Sequence, residues 1–168
     1  LLAFDVYRSQ KGNKNLVIVG RKKWWDNDTE QVYINMTHKK NVIFLGHVND
    51  LLMHKILASA HALCFISFFE GFGMPIIEAM KSHVPVITSN TSSMPEIADN
   101  AAIIVDPFDI NDISKGLQII DNNNQKREFL IDKGIERSNF FNWQKSADII
   151  QEVIIKHAKK KIRSNIIK

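Results

Sequence analysis

Short apolar runs recur along the chain, and longer, more polar segments separate them. The runs occupy residues 16–19, 42–45, 63–66, 84–88 and 103–105. Because they do not alternate polar and apolar side chains, they indicate strands that are buried on both faces. Such strands, alternating with helices, predict an α/β fold in which a Rossmann-like parallel sheet carries helices on both faces.

The segments between these runs predict helices. The first residues, 1–7, resemble the second half of a helix, which suggests a fragment of a longer protein. Asn27 or Asp28 is the expected cap of a helical segment at 26–39, and Asn49 or Asp50 caps the helix that reaches about residue 60. Further helices are predicted at 75–82, 111–122, 125–137 and 143–159.

Length and composition fit one soluble globular domain. The chain has 168 residues, 45% of them hydrophobic, and a formal net charge of +4. Part of that charge lies in a basic tail at 156–168, so the domain proper is expected at 1–155 and a nucleic-acid partner is not indicated. No apolar run approaches the roughly 20 residues of a membrane span. The single cysteine, Cys64, is expected to be buried, and a reducing cytoplasmic location is expected.

The loop after the third apolar run concentrates the residues that could bind a ligand. Ligands of parallel α/β sheets bind at the carboxyl ends of the strands. Here two glycines, Gly71 and Gly73, allow the main chain to approach a ligand closely. Pro75 suits the first position of the following helix, whose N-terminal N–H groups and dipole favour an anion such as a diphosphate. The sequence is neither a P-loop nor a dinucleotide fingerprint.

Two carboxylates flank this loop, Glu70 before the glycines and Glu78 within the helix. A carboxylate would repel a phosphate, so both are expected to accept hydrogen bonds from hydroxyl groups. A phosphate flanked by polyhydroxylated groups describes a nucleotide sugar. The alternative for either glutamate alone is a structural one, in which it complements the helix dipole.

At these residues the sequence resembles glycosyltransferase family 4, the retaining enzymes of the GT-B fold. The run Glu-Gly-Phe-Gly-x-Pro-x-x-Glu-Ala is complete at 70–79. Residues 42–48, 84–89, 94–97, 102–107 and 141–143 resemble further strands, the Pro-Glu turn and the final helix of that family in register. The resemblance covers about residues 16–150.

The resemblance implies that this chain is the C-terminal, donor-binding half of a GT-B enzyme. That enzyme would transfer a hexose, of mannose or glucose type, from a nucleotide-diphosphate sugar. Its expected role is in bacterial cell-surface polysaccharide biosynthesis. Glu70 would be the catalytic residue at the donor sugar, and Glu78 would bind the ribose hydroxyls. The sugar and diphosphate would lie along Gly71, Phe72, Gly73 and Met74. The nucleobase would lie beside Val48, Asn49 and Asp50. The family generally needs no metal or other cofactor.

Two departures from the family limit what this chain is expected to do. The family's arginine and lysine for the diphosphate precede the helix that opens this chain, as does the first strand of the domain. The N-terminal acceptor domain is likewise absent, so the fragment is expected to be inactive alone. Arg21, Lys22 and Lys23 could assist, although a solvated basic loop is the more ordinary interpretation.

Other features leave alternatives open. His47, His54 and His61 recur every seven residues, which is not a usual metal-ligand spacing. Trp24 and Trp25 could form a docking edge or a lid on the core. The basic tail could contact the cytoplasmic face of an anionic membrane, or simply be solvated. Rival functions are a non-catalytic GT-B-like binding partner and a related epimerase or phosphorylase-type enzyme.

Overall fold

A computed structural model describes residues 1–21 and 25–166, with side chains up to residue 158. It contains two compact units, Leu1–Ser138 and Asn139–Lys168. In chain order the elements are α1 Leu2–Ser9, β1 Leu16–Val19, α2 Asn27–Asn35, a 3₁₀ turn Lys39–Asn41, β2 Val42–Gly46, α3 Asp50–Ala58, β3 Leu63–Phe65, α4 Met74–Lys81, β4 Val86–Ser89, α5 Met94–Ala98, β5 Ala102–Val105, α6 Ile110–Asn122, α7 Asn124–Phe140 and α8 Trp143–Ile166.

The strands form two parallel sheets flanked by helices, which confirms the predicted fold class. β1 pairs with β2, with Leu16 opposite Val42. β4 lies between β3 and β5, so that Val86 is opposite both Leu63 and Ala102. Each predicted apolar run became a strand, with ends shifted by at most two residues.

An open groove of about 660 Å³ lies between β1 and β3. Both strands line it, and neither has a partner on that side within the described sheets. The residues that precede the two strands approach one carboxylate: Lys14 Nζ lies 3.5 Å and His61 Nε2 lies 4.0 Å from Asp121 Oδ1. β1 and β3 therefore start at the same end of the groove and run in the same direction.

Cys64, at the centre of β3, was predicted to be buried, and that prediction is wrong. The residue is exposed because β3 is the edge strand that faces the groove. Protein atoms around its sulfur nevertheless desolvate the thiolate and raise the pKa of the Cys64 thiol to about 11. We therefore regard the thiol as open to solvent through the groove but poorly ionised at neutral pH.

The core of the first unit packs α6 and α7 against the sheet of β3, β4 and β5. Ile87, Val105, Ile120 and Leu130 form one buried cluster. Gly116 of α6 allows this close packing, since a Cβ there would lie 3.1 Å from Val105 Cγ1. A second cluster joins Phe4 and Tyr7 of α1 to Met36 and Val42.

Local boundaries differ from the predictions where capping or proline chemistry decided them. Asp26, rather than Asn27 or Asp28, caps α2, because its side chain accepts a hydrogen bond from Thr29 N at 2.7 Å. The helical segment predicted to residue 39 ends at Asn35. Residues expected to form a Pro-Glu turn fold as the five-residue helix α5, with Pro95 in its first turn.

Trp25 is a lid on the core of the first unit, because its ring packs edge-on against Tyr33 and Phe44 with centroids 5.8 Å and 5.2 Å apart. Trp24, Lys22 and Lys23 lie outside the described residues.

The second unit is dominated by α8. The helix continues through the segment predicted as a tail and reaches Ile166, beyond the predicted end at residue 159. Within the described ranges, no helix is both long and apolar enough to cross a membrane. The side chains of the basic residues from 159 onward lie outside the described part of the chain.

Candidate functional site

The loop between β3 and α4 reaches the helix through a glycine in an unusual conformation. Gly73 is buried and has φ 101° and ψ 44°, in the left-handed region where a side chain is strained. It is the residue before α4, and its carbonyl already accepts from Ile76 N at 3.0 Å. Pro75 occupies the second helical position, not the predicted first, because Met74 begins the helix.

The rest of the loop is largely open to solvent. Gly71, Phe72 and Met74 are exposed, and a Cβ on Gly71 would meet no atom within 4 Å. Phe68 stacks on Phe108, which follows β5, with ring centroids 4.8 Å apart. The residues predicted to line the sugar and diphosphate therefore form one accessible surface at the start of α4, apart from the buried Gly73.

Glu70 is held at three of its polar atoms and keeps one carboxylate oxygen available. Its Oε1 accepts from Ser67 Oγ at 3.0 Å. Its main-chain N–H donates to Ser92 Oγ at 3.2 Å, and its carbonyl oxygen accepts from Ser92 and Ser93 hydroxyls. Oε2 has no hydrogen-bond partner among the described residues, so it can accept a bond from a ligand hydroxyl.

Glu78 lies on α4 and borders the groove between β1 and β3. Its side chain is exposed and makes no hydrogen bond or ion pair with any residue that the structure describes. As the fifth residue of α4 it is too far along the helix to cap it. The structural alternative, in which Glu78 complements the helix N-terminus, therefore has no contact to support it.

Val48, Asn49 and Asp50 follow β2 in a separate connection. Asn49 caps α3, since its Oδ1 accepts from Leu52 N at 2.9 Å. Val48 is half-buried and Asp50 is exposed. The side-chain oxygen of Asn49 is thus already used, which leaves its amide N–H groups for any ligand.

A row of hydroxyl side chains, which the sequence pattern did not predict, holds this loop against the segment at the end of β4. Thr88 and Ser89 end β4, and Thr91, Ser92 and Ser93 follow it. All five hydroxyls donate to main-chain carbonyls between residues 65 and 72. The only signal in the sequence was a stretch rich in Ser and Thr directly after an apolar run.

The three histidines at seven-residue spacing lie in different surroundings. His47 and His54 are exposed on separate elements, whereas His61 precedes β3 and lies 3.3 Å from the carbonyl oxygen of Ile120. Desolvation, with the charge of Lys14, lowers the pKa of His61. Within the residues that the structure describes, no group of His, Cys, Asp and Glu has the arrangement of a metal site.

Asp121 organises the end of the groove opposite the loop. Burial alone would raise the pKa of Asp121, but hydrogen bonds from Tyr7 Oη and Asn13 N and the charge of Lys14 outweigh it and lower that pKa. Burial, followed by the bond to Asp121, raises the pKa of Tyr7 to about 12. These contacts fix α1 against α6 and take no part in the exposed loop.

Comparison with known proteins assigns a family. The model of the family described as glycosyl transferases group 1 matches residues 1–137. O-antigen chain mannosyltransferase B of Escherichia coli is 33% identical over 129 residues, which are 77% of this chain and 34% of the relative. The chain thus spans about a third of that relative's length.

Two solved structures share the fold. Sucrose-phosphate synthase from Thermosynechococcus elongatus matches with a TM-score of 0.78 and 20% identity, over 95% of this chain and 42% of its own. HepE from Anabaena, in complex with UDP-glucose, matches with a TM-score of 0.75 and 17% identity, over 92% of this chain and 44% of its own. Each similarity spans less than half of the longer protein.

Proposed function

Because this chain belongs to the group 1 glycosyl transferases, we propose that it is the C-terminal, donor-binding domain of a retaining GT-B enzyme of glycosyltransferase family 4. The enzyme transfers a hexose, mannose in preference to glucose, from a nucleotide-diphosphate sugar to an acceptor hydroxyl in bacterial cell-surface polysaccharide biosynthesis. The name of the Escherichia coli relative supports mannose and a polysaccharide product. The UDP-glucose bound to HepE supports a nucleotide-sugar donor.

One observation carries the proposal: two carboxylates with unused oxygens lie on either side of a glycine loop that leads into a helix N-terminus. The exposed main chain of Gly71 and Met74 can approach a diphosphate, which the positive end of the α4 dipole favours. Glu70 and Glu78 then accept hydrogen bonds from hydroxyl groups on the two sides of that diphosphate. A nucleotide sugar has hydroxyls on both sides.

In the proposed mechanism Glu70 binds hydroxyls of the donor sugar through Oε2, while Ser67 holds Oε1. Glu78 accepts hydrogen bonds from the ribose hydroxyls. The loop residues Gly71, Phe72, Gly73 and Met74 hold the diphosphate, which leaves with the electron pair of its bond to the anomeric carbon. The acceptor oxygen bonds to that carbon, and the proton of the acceptor hydroxyl passes to the leaving diphosphate. Fixed N–H groups stabilise that developing charge without reorganisation, so no metal is required.

The nucleobase is proposed to lie beside the connection after β2. Asn49 can offer its amide N–H groups to a base carbonyl, because its Oδ1 is engaged with Leu52 N. Val48 supplies an apolar contact to the base, and Asp50 stands next to it at the start of α3. A carboxylate there favours a base that presents N–H donors.

We propose that an apolar strand of the complete enzyme fills the groove between β1 and β3. Both walls are strand edges that run in the same direction, so an inserted strand would pair in parallel with each. Leu63 N donates to Pro85 O on the β4 side, and alternation therefore directs the Cys64 N–H into the groove. The family's diphosphate arginine and lysine would follow that strand, and the chain of Leu1–Lys168 alone would not transfer sugar.

Hydrogen exchange tests the strand proposal. In the complete enzyme the Cys64 amide should be as protected as the Phe65 amide, whereas in the Leu1–Lys168 chain it should exchange much faster. Equal, rapid exchange of the Cys64 amide in both proteins would mean that no strand occupies the groove.

We further propose that the complete enzyme has an N-terminal acceptor domain and is cytoplasmic. It would contact the cytoplasmic face of the membrane. Nucleotide sugars and lipid-linked acceptors would meet there. The basic residues at the end of α8 suit an anionic surface. Vesicle binding by the complete enzyme, lost when residues 156–168 are deleted, would support this contact.

Thermal unfolding of the complete enzyme with UDP, GDP, ADP and their sugars tests the donor proposal. A ligand that binds the native state raises the apparent Tm. We expect one nucleotide series to stabilise the protein, with a further rise for its hexose derivative. A non-catalytic binding partner is the rival function, and it would show nucleotide binding without release of nucleoside diphosphate from the sugar donor.

A further inference from the structure

Five hydroxyls form a ladder that follows the main chain of the loop step by step. Thr88 Oγ1 donates to Phe65 O at 2.8 Å and Ser89 Oγ to Ser67 O at 2.6 Å, both from buried positions. Thr91 Oγ1 continues the ladder to Phe68 O at 3.1 Å. These hydrogen bonds extend the pairing of β3 and β4 past the end of the strands, because side-chain hydroxyls donate where main-chain N–H groups no longer do.

The last two hydroxyls, those of Ser92 and Ser93, bind the peptide groups around Glu70. Ser92 Oγ accepts from Glu70 N at 3.2 Å and donates to Glu70 O. Ser93 Oγ lies 3.0 Å from both Glu70 O and Phe72 O. Both polar main-chain groups of Glu70 are therefore held by hydroxyls from another segment, more than 20 residues away in sequence.

Ser92 adopts this position in a strained conformation. Its φ is 59°, in the left-handed region, where a residue with a Cβ is strained relative to the right-handed form. Glycine would adopt the same turn more easily, but it has no hydroxyl to bind Glu70. If Ser92 only shaped the turn, glycine would replace it with no loss.

We propose that Ser92 and Ser93 are positioning residues for the donor site, and this inference rests on the proposed function. They hold both polar main-chain groups of Glu70, so that its carboxylate is already placed when the donor binds. They do not touch the donor themselves. Misplacement of a reacting group by about 1 Å can slow a reaction by roughly 100-fold, which makes such anchoring consequential.

The test uses the complete enzyme and three variants at the two serines. Ser92→Gly relieves the strain but removes the hydroxyl, Ser93→Ala removes the second hydroxyl, and Ser93→Thr retains it. Ser9→Ala is the matched control, because Ser9 Oγ also donates to a main-chain carbonyl, that of Asp5 at 3.0 Å, on the exposed face of α1. Each protein is assayed for Tm, for binding of GDP and UDP, and for release of nucleoside diphosphate from GDP-mannose and UDP-glucose.

We expect Ser92→Gly to keep or raise the Tm and to bind the free nucleotide within about threefold of the parent. Its rate of donor cleavage should fall by between about 10- and 100-fold, because the misplaced Glu70 contacts the sugar and not the nucleotide. Ser93→Ala should lose rate in the same way and Ser93→Thr should restore most of it, while Ser9→Ala should match the parent.

The outcomes separate this inference from the proposed function. If Ser92→Gly and Ser93→Ala cleave the donor as fast as the parent, the hydroxyls do not position Glu70 and the inference is wrong. If the cleavage rates of these variants fall only in proportion to a lower Tm, the two hydroxyls serve folding, which also overturns the inference. If the parent enzyme binds no nucleotide and cleaves no sugar donor, the proposed function itself fails.

Discussion

Replacing Gly71 or Gly73 of the loop by alanine should affect different properties: Gly73→Ala the stability, and Gly71→Ala the binding of nucleotide. Gly73 has φ 101°, and a Cβ there would lie 3.2 Å from Cδ1 of the buried Ile76. The conformation costs about 1–2 kcal/mol for a residue with a side chain. The crowded contact adds to that cost, and the stiffer unfolded chain offsets about 0.4–1 kcal/mol. Gly73→Ala should therefore lower the free energy of unfolding by about 1–2 kcal/mol.

Gly71 offers the matched control because a Cβ there meets nothing within 4 Å and its φ is not in the left-handed region. Gly71→Ala should leave stability within about 0.5 kcal/mol of the parent. The added methyl group would, however, occupy the surface where the diphosphate is proposed to approach the main chain. An extra methyl in a fitted site changes affinity by roughly tenfold or more, so nucleotide binding should weaken.

Urea unfolding and nucleotide titration of the complete enzyme measure both effects. The expected result is a lower unfolding free energy for Gly73→Ala, and normal stability with weaker nucleotide binding for Gly71→Ala. A Gly73→Ala protein as stable as the parent would refute the argument from backbone strain. A Gly71→Ala protein that binds nucleotide normally would refute the location given to the diphosphate.

Further predictions concern stability. Burial, and then the bond to Asp121, raise the pKa of Tyr7 to about 12, above the ordinary 10. The stability that this shift contributes is complete below pH 10 and is lost as the pH rises toward 12. The free energy of unfolding should therefore fall less steeply between about pH 9 and 12 in Tyr7→Phe, and an unchanged slope would contradict the raised pKa. In Gly116→Ala the new methyl group would meet rigid β-branched side chains, whereas in Gly134→Ala it would meet a flexible methionine. Urea unfolding should therefore show Gly134→Ala to be the more stable variant by about 1–2 kcal/mol. The reverse order would contradict the packing described for α6.

The strands were predictable because each is an uninterrupted apolar run that ends at a polar or glycine residue. The loop at residues 70–78 was predictable for a similar reason, since glycine, proline and carboxylates occur together in a few positions. What the sequence pattern could not convey is which strand edges have partners. Cys64 has the surroundings of a core residue in sequence, but β3 is an edge strand in the structure.

The hydroxyls of Ser92 and Ser93 were missed because side-chain bonds to a distant main chain leave no periodic signal. Helix ends were missed where neighbouring polar residues compete to cap, as Asp26 does ahead of Asn27 and Asp28. The short helix α5 was missed because its proline and its length of five residues resemble a turn.

The ribose contact of Glu78 is the central claim, and a thermodynamic cycle tests it most directly. The complete enzyme and its Glu78→Gln variant are titrated with the preferred nucleoside diphosphate and with its 2′,3′-dideoxy analogue. Glu128→Gln is the control, because Glu128 is an exposed carboxylate on α7 outside the loop. Hydrogen bonds to a charged group contribute about 1.5–3 kcal/mol. We therefore predict that Glu78→Gln weakens the ribonucleotide by roughly 10-fold or more but leaves the dideoxy analogue unaffected; equal losses for both ligands would contradict the account.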